Sequence, residues 1–320
     1  MITEMMTGRL GNQMFQYASM RALQEKYYPN EKINFSFDYM KYGGTEAEGF
    51  RNQLMLFNIN KDKIIFDKKV TLSLYQKVLL VKYFVGRKIL KLINRKNNYE
   101  DKKRIFEQKI QEKYNKKGLF LFSYGYYPFK ASCVKNKLFL GFFESPKYFD
   151  DIKDILLREF EPVMPPKEKN KMTYKLIESS ESVCVSVRRG DYVGTKFEKG
   201  AYICTKEYFD EALSEIKKRV KNPKFVVFSD DIEWVKGNMQ FPVGTIYEDG
   251  NDSVDEKLRL MYSCKHFIIS NSTFSWWAQY LSRNKNKVVI APDKWRKIGY
   301  NNRDLYEMNW VLIKTGGNVK

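Results

Sequence analysis

Histidine is almost absent from this chain of 320 residues; His266 is the only one. That excludes zinc hydrolases of the HExxH type and any Ser-His-Asp triad that does not run through this residue. His266 lies in CKHFIIS, at the start of an expected strand. Strand starts face away from the ligand edge of a parallel sheet, so a structural role is expected. The four cysteines, Cys133, Cys184, Cys204 and Cys264, are widely separated. They make no CxxC pair and no metal-binding spacing, and read as reduced core thiols. No apolar run approaches the ~20 residues of a membrane span. The start, MITEMMTGRLGNQ, lacks the basic and apolar regions of a signal, so a cytoplasmic protein is expected. Repeats, low-complexity tracts, zinc fingers, RNP motifs and helix-turn-helix patterns are also missing, and nucleic acid is not an expected partner.

Acidic residues are the other deficit: 38 against 57 lysines and arginines, a net charge of +19. Such a balance suits polyanions, an acidic membrane surface or a phosphorylated substrate. Segment Lys77–Lys117 carries fourteen basic residues against Glu100, Asp101, Glu107 and Glu112. Within it, Val78, Leu79, Tyr83, Ile89, Leu90 and Ile93 fall at near-helical spacing, flanked by Lys82, Lys88, Lys91 and Arg95. A helix of this kind either lies on an anionic bilayer, at the inner face of the cell membrane, or is a core helix with a solvated basic face.

The patterning alternates strands and helices. Strand Ile2–Met6 leads through a GRLGNQ turn into a helix over Gln13–Tyr27. Phe120–Tyr127 and Leu138–Phe143 are strand-like, and Tyr148–Phe160 is helical. EPVMPPKEKNK then reads as an inter-domain linker. Beyond it, strands at 183–188, 224–229, 244–247, 267–270 and 287–291 alternate with helices at 206–220, near 232, at 254–264 and at 273–282. Ser253-Val254-Asp255-Glu256 has the form of a capping box. This order predicts an α/β protein with parallel, doubly wound sheets. The expected domains are 1–161 and 162–300, with a tail, 301–320, packing back on the first.

Three strand-to-loop junctions carry chemistry. SVCVSVRRGDY alternates valines with small residues and ends on Arg188, Arg189, Gly190 and Asp191. Always-charged guanidiniums at a strand end suit bidentate phosphate recognition. A surface turn held by an Arg–Asp pair explains the same residues. Gly8-Arg9-Leu10-Gly11-Asn12-Gln13 is a tight turn before a helix, where backbone N–H groups can meet a ligand. Ser270-Asn271-Ser272-Thr273 closes a strand and opens a helix, a setting for an anion or a long polar cap.

Taken together, GRLGNQMFQYA, VSVRRGDY, FSDDIEWV, SCKHFIISNSTFSWWAQYL and VVIAPDKW resemble, in order, the blocks of glycosyltransferase family 11, the α-1,2-fucosyltransferases. The likeness runs from about Gly8 to Trp295, and the bacterial members are the most similar. Single blocks also resemble protein O-fucosyltransferases and α-1,6-fucosyltransferases. The resemblance implies a GT-B fold, with two Rossmann-like domains facing across a cleft, acceptor side first and donor side second. It implies inverting, metal-independent transfer of fucose from GDP-β-L-fucose, with no cofactor, to the 2-hydroxyl of galactose in a surface glycan, including lipid-linked acceptors. The alternatives are a GT-B enzyme of another acceptor or linkage, or a non-catalytic polyanion-binding protein.

On that reading Arg188 contacts the β-phosphate, with Ser272 and Thr273 beside it. Asp230 and Asp231 bind guanine or ribose, and Gly11, Asn12, Gln13 and Asn271 complete the donor site. Many family members carry histidine two residues before the first arginine; this chain has Ser186 there, at a position the resemblance implies supports donor binding or orients the arginine. Val193-Gly194-Thr195 is followed by Lys196, where α-1,6 relatives have a glutamate. Asp191 and Glu198 are the nearest carboxylates, and Asp191 is the candidate base. Transfer of the proton to the leaving phosphate requires no protein base.

Overall fold

The computed structural model describes residues 1–38, 51–94, 99–190, 192–195, 198–297 and 299–315. The chain divides into one unit of Met1–Phe160 with Asn302–Leu305, and a second of Glu161–Asn301 with Tyr306–Lys320. The break falls at the head of the proline-rich EPVMPPKEKNK stretch.

In the first unit, β1 (Ile2–Met5), β2 (Ile33–Ser36), β3 (Ile64–Phe66), β4 (Leu119–Leu121) and β5 (Lys137–Leu140) form a sheet of order β3-β2-β1-β5-β4. Every pairing in it is parallel. Helix α1 (Leu10–Tyr27) starts three residues earlier than the pattern suggests. Gly8, at φ +77°, makes the turn possible; a side chain there would run into Asn12. Helices α2 (Leu74–Ile93) and α3 (Tyr99–Asn115) follow. Leu79, Tyr83 and Tyr114 from them pack on Leu119, Leu121, Leu138 and Leu140 of the sheet. The strand expected over Phe120–Tyr127 is only Leu119–Leu121; beyond it the Phe122 amide still donates to the Leu140 carbonyl at 3.1 Å, and the Ser123 amide, on the outer edge, donates to the Glu107 carboxylate at 2.8 Å. The helix expected from Tyr148 begins with two 3₁₀ turns and becomes α4 only over Lys153–Glu159. Buried Arg21 of α1 meets Glu159 of α4 at 2.9 Å, and the Tyr17 hydroxyl donates to the same carboxylate at 2.6 Å.

In the second unit, α5 (Lys171–Ser179) precedes β6 (Glu181–Val187), α6 (Lys206–Arg219), β7 (Pro223–Ser229), α7 (Ile232–Asn238) and β8 (Ile246–Tyr247). Then come α8 (Val254–Ser263), β9 (His266–Ile269), α9 (Thr273–Leu281), β10 (Val289–Pro292) and β11 (Val311–Ile313). The parallel sheet has the order β11-β10-β9-β6-β7-β8. Counted from β6, that is the strand order of the dinucleotide-binding Rossmann fold.

The alternation of β6 explains its two faces. Val183, Val185 and Val187 pack with Tyr208, Phe209, Ala212 and Ile216 of α6 and Val235 of α7. The small residues point the other way: the Ser182 hydroxyl donates to the Ile177 carbonyl at 3.0 Å, and Ser186 meets Ser275 of α9 at 2.6 Å. His266 is buried at the start of β9, where Nε2 lies 3.0 Å from Glu181 and Nδ1 accepts the Val288 amide at 3.0 Å. Cys184, Cys204 and Cys264 are buried free thiols, whereas Cys133 is exposed and does not belong to the core.

Two expectations need correction here. Ser253 does not cap α8 with its side chain. Glu256 accepts instead from the Lys167 amide at 3.0 Å and Asn170 Nδ2 at 2.9 Å, and pairs with Arg259 at 2.8 Å. The tail does not return whole to the first unit. Asn302 Nδ2 donates to the Glu144 carbonyl and Asp304 pairs with Lys147 there, each at 2.6 Å, whereas β11 extends the second sheet beside β10.

Candidate functional site

Ligands of open α/β sheets sit beyond the carboxyl ends of strands, where neighbouring connections leave in opposite directions. In the second unit that point lies between β6 and β9. β6 delivers Arg188 and Arg189 there, β9 delivers Ser270–Ser272, and the adjoining β7 delivers Asp230 and Asp231. The parallel register places all three loops at one edge.

Asp230 holds both arginines. Its Oδ2 is 2.7 Å from Arg188 Nη1, and its Oδ1 accepts the Arg189 backbone amide at 2.8 Å. Gly190 lets the carboxylate come this close, since a Cβ at that position would lie 2.6 Å from Asp230 Oδ2. Arg189 is fixed further. Its Nε donates to Asp231 at 3.2 Å and its Nη1 to the Tyr202 hydroxyl at 3.3 Å. The guanidinium carbon lies 3.3 Å from the centre of the Trp234 ring. Only 10 % of the Arg189 side chain is exposed, against 23 % for Arg188. Arg189 is thus a buried brace, and Arg188 is the more exposed of the two guanidiniums. Asp230 and Asp231, expected on guanine or ribose, are here the partners of the arginines.

Beside them, the Tyr192 hydroxyl donates to the Asn271 carbonyl at 3.1 Å. Asn271 acts as a structural clamp: its Nδ2 donates to the carbonyls of Ala201 and Trp295 at 2.8 and 3.0 Å. The Cys204 thiol, pushed up to about 12 by burial, donates to Asn271 Oδ1. Ser186 is likewise committed to Ser275 in the interior. Ser272 and Thr273 sit half-buried at the start of α9, and the Ser272 side chain makes no cap to that helix. The helix start therefore does not use this serine as an ordinary N-cap, and it lies at the same strand edge as Arg188. Asp191 and Lys196 lie outside the described residues; Glu198 accepts the Gly194 amide at 2.8 Å.

Gly11, Asn12 and Gln13 belong to the first unit, in the opening turn of α1. The Gln13 side chain holds the loop together. Its Nε2 donates to the carbonyls of Gly8 and Arg51, and its Oε1 accepts the Gln53 amide at 3.1 Å. Sequence patterning missed Trp234, Tyr202 and Tyr192 as parts of the arginine site. The signal for Trp234 is its place one helical turn beyond Asp231.

Among the described residues, Glu248, Asp249 and Asp252 are the carboxylates close enough together to share a cation. Lysines already occupy them: Lys257 is 2.9 Å from Glu248, and Lys169 is 3.0 Å from Asp252.

Comparison with known proteins agrees with this construction. Residues 1–314 match the model of glycosyl transferase family 11. The chain is 28 % identical over 316 residues to an alpha-1,2-colitosyltransferase of Escherichia coli, covering 97 % of both chains. It is 27 % identical to the O-antigen biosynthesis glycosyltransferase WbnK of the same species, over 96 % of this chain and 99 % of that one. Over a shorter stretch, 108 residues, it is 36 % identical to the mouse galactoside 2-alpha-L-fucosyltransferase Sec1, covering 32 % of this chain and 29 % of that one. Two parallel α/β units, an arginine pair at the Rossmann switch point and a family match over nearly the whole length lead to one conclusion: this chain belongs to glycosyl transferase family 11 and is a glycosyltransferase.

Proposed function

We propose that the protein transfers L-fucose from GDP-β-L-fucose to the 2-hydroxyl of a galactose residue in a surface glycan, with inversion to an α-1,2 linkage. The observation that carries the donor reading is the Arg188–Arg189 pair at the β6/β9 edge, beside the start of α9. In the reaction the acceptor oxygen attacks C1 of fucose and the C1–O bond to the β-phosphate breaks. GDP departs with the electron pair. Arg188, Ser272 and the amide end of α9 stabilise the charge that develops on the phosphate. Those groups supply what a metal ion would, so the proposed reaction is metal-independent. The hydroxyl proton passes to Asp191 or to the departing phosphate. Gly11 and Asn12 are proposed as further donor contacts.

A second donor has an observation in its favour, the likeness to a colitosyltransferase over nearly the full length. Colitose is fucose without its 3-hydroxyl, so the same phosphate clamp serves both donors. A panel of GDP-fucose, GDP-colitose and GDP-mannose with galactoside acceptors, run with and without chelator, tests the proposal. The expected product is an α-1,2-fucosyl galactoside, made equally well in chelator. Turnover of GDP-colitose alone would replace the donor, and no transfer from any of the three would overturn the reading.

A further inference from the structure

The apolar stripe read from the sequence belongs to two different faces of α2. Leu79 and Tyr83 are buried against α3 and the first sheet, whereas Val78, Ile89 and Ile93 are exposed on the opposite side. The exposed set is longer than the sequence suggested. Leu74, Val78, Val81, Val85, Ile89 and Leu92 follow one another at steps of three and four residues, and all are 43–79 % exposed. At 1.5 Å per residue the stripe extends about 27 Å along the helix. A helix covering a core ordinarily turns charged residues outward. This one is apolar on both sides.

Its charge is equally one-sided. Leu74–Ile93 contains no aspartate or glutamate, and Lys77, Lys82, Lys88 and Lys91 are exposed along the stripe. Among the described residues, no helix is long and apolar enough to cross a membrane, so α2 is suited to lying along a surface. A line of aliphatic side chains edged by lysines matches the boundary between acyl chains and anionic headgroups. A second copy is a poorer occupant, because joining two such faces brings two sets of lysines together without a counter-charge.

We infer that the outer face of α2 docks the protein on an anionic lipid bilayer, with the stripe from Leu74 to Leu92 in the interface and the lysines on the headgroups. The inference rests on α2 alone and is separable from the donor chemistry. It adds to the transferase reading a surface on which lipid-linked acceptors would be held.

The test is co-sedimentation of the full chain with vesicles of phosphatidylcholine alone or mixed with phosphatidylglycerol. Binding to the mixed vesicles should be at least about tenfold tighter and should fall with added salt. A Val81→Glu/Val85→Glu variant should lose at least about tenfold in binding while keeping its melting temperature and its GDP affinity, since both side chains are already in solvent. Lys82→Gln/Lys88→Gln should weaken binding to the mixed vesicles alone. Equal binding of wild type and the glutamate variant, or no binding to either vesicle, would overturn the inference. So would a dimer in light scattering that the glutamate variant abolishes without a loss of vesicle binding.

Discussion

Arg188 and Asp230 form a 2.7 Å ion pair at the carboxyl end of β6, on the guanidinium that is proposed to take a phosphate oxygen. Two arginines and two aspartates make this cluster neutral overall. On the proposed donor reading, an incoming diphosphate competes with Asp230 for Arg188, and release of GDP restores the pair.

Asp230→Asn removes the competing charge while its side-chain oxygen can still accept the Arg189 amide. GDP should bind several-fold more tightly to this variant, and turnover should slow as product release lags. Calorimetric titration with GDP distinguishes this from the guanine- or ribose-binding role expected from the sequence, under which the same substitution weakens binding.

Trp234 holds the Arg189 guanidinium face-on at 3.3 Å. Trp234→Ala should cost about 1–2 kcal/mol of stability and weaken GDP binding indirectly. Trp234→Phe should restore most of both. Urea unfolding together with GDP titration checks the pair. A phenylalanine variant as impaired as the alanine one would show that the ring face is not what matters.

Glu4 on β1 is fully buried, and that burial raises its pKa well above the ordinary 4.5, with the Gly141 backbone offsetting part of the effect. The folded protein thus holds this proton more tightly than the unfolded chain. The associated stability is complete below the ordinary carboxylate range and is lost as pH rises through the folded-state pKa. Glu4→Gln should flatten that decline. Unfolding free energies across a pH series should converge at acid pH and diverge toward neutrality; parallel curves would contradict the assignment.

Two serines separate a formed helix cap from one that only the pattern suggests. Ser73 accepts the Gln76 amide at 3.2 Å in a complete capping box. Ser73→Ala should cost about 1 kcal/mol, and Ser253→Ala much less, because α8 has no side-chain cap. Glu256→Ala should be the more damaging change near α8, since it strips partners from Asn170 and Arg259. Chemical denaturation of the three variants gives the order directly.

Much of this was legible where a pattern is local. The valine alternation of β6, the helices that follow β6 to β9, and the polar run at the start of α9 are all short-range signals. No nearby residue announces how short β4 is, or that Glu107, on α3, takes the Ser123 amide 16 residues away. The site divides in the same way. Arg188 at a strand end is visible in the sequence. The work of Asp230 and Asp231 on the arginines is not, because their partners lie 41 and 42 residues away and meet only through the parallel pairing of β6 and β7. Gln13 and Asn271 look like ligand groups from their neighbours in the chain, and the tertiary hydrogen bonds that hold their side chains are not announced there. Only folding divides the apolar residues of α2 between its two faces.

The most direct test of the account is GDP binding by Arg188→Lys. Lysine keeps the charge but cannot bond two phosphate oxygens in the guanidinium geometry. The account predicts a Kd for GDP raised at least about tenfold, a still larger loss of transfer from GDP-fucose, and an unchanged melting temperature. A variant that binds GDP and turns over as the wild type does would show that Arg188 is not the phosphate ligand.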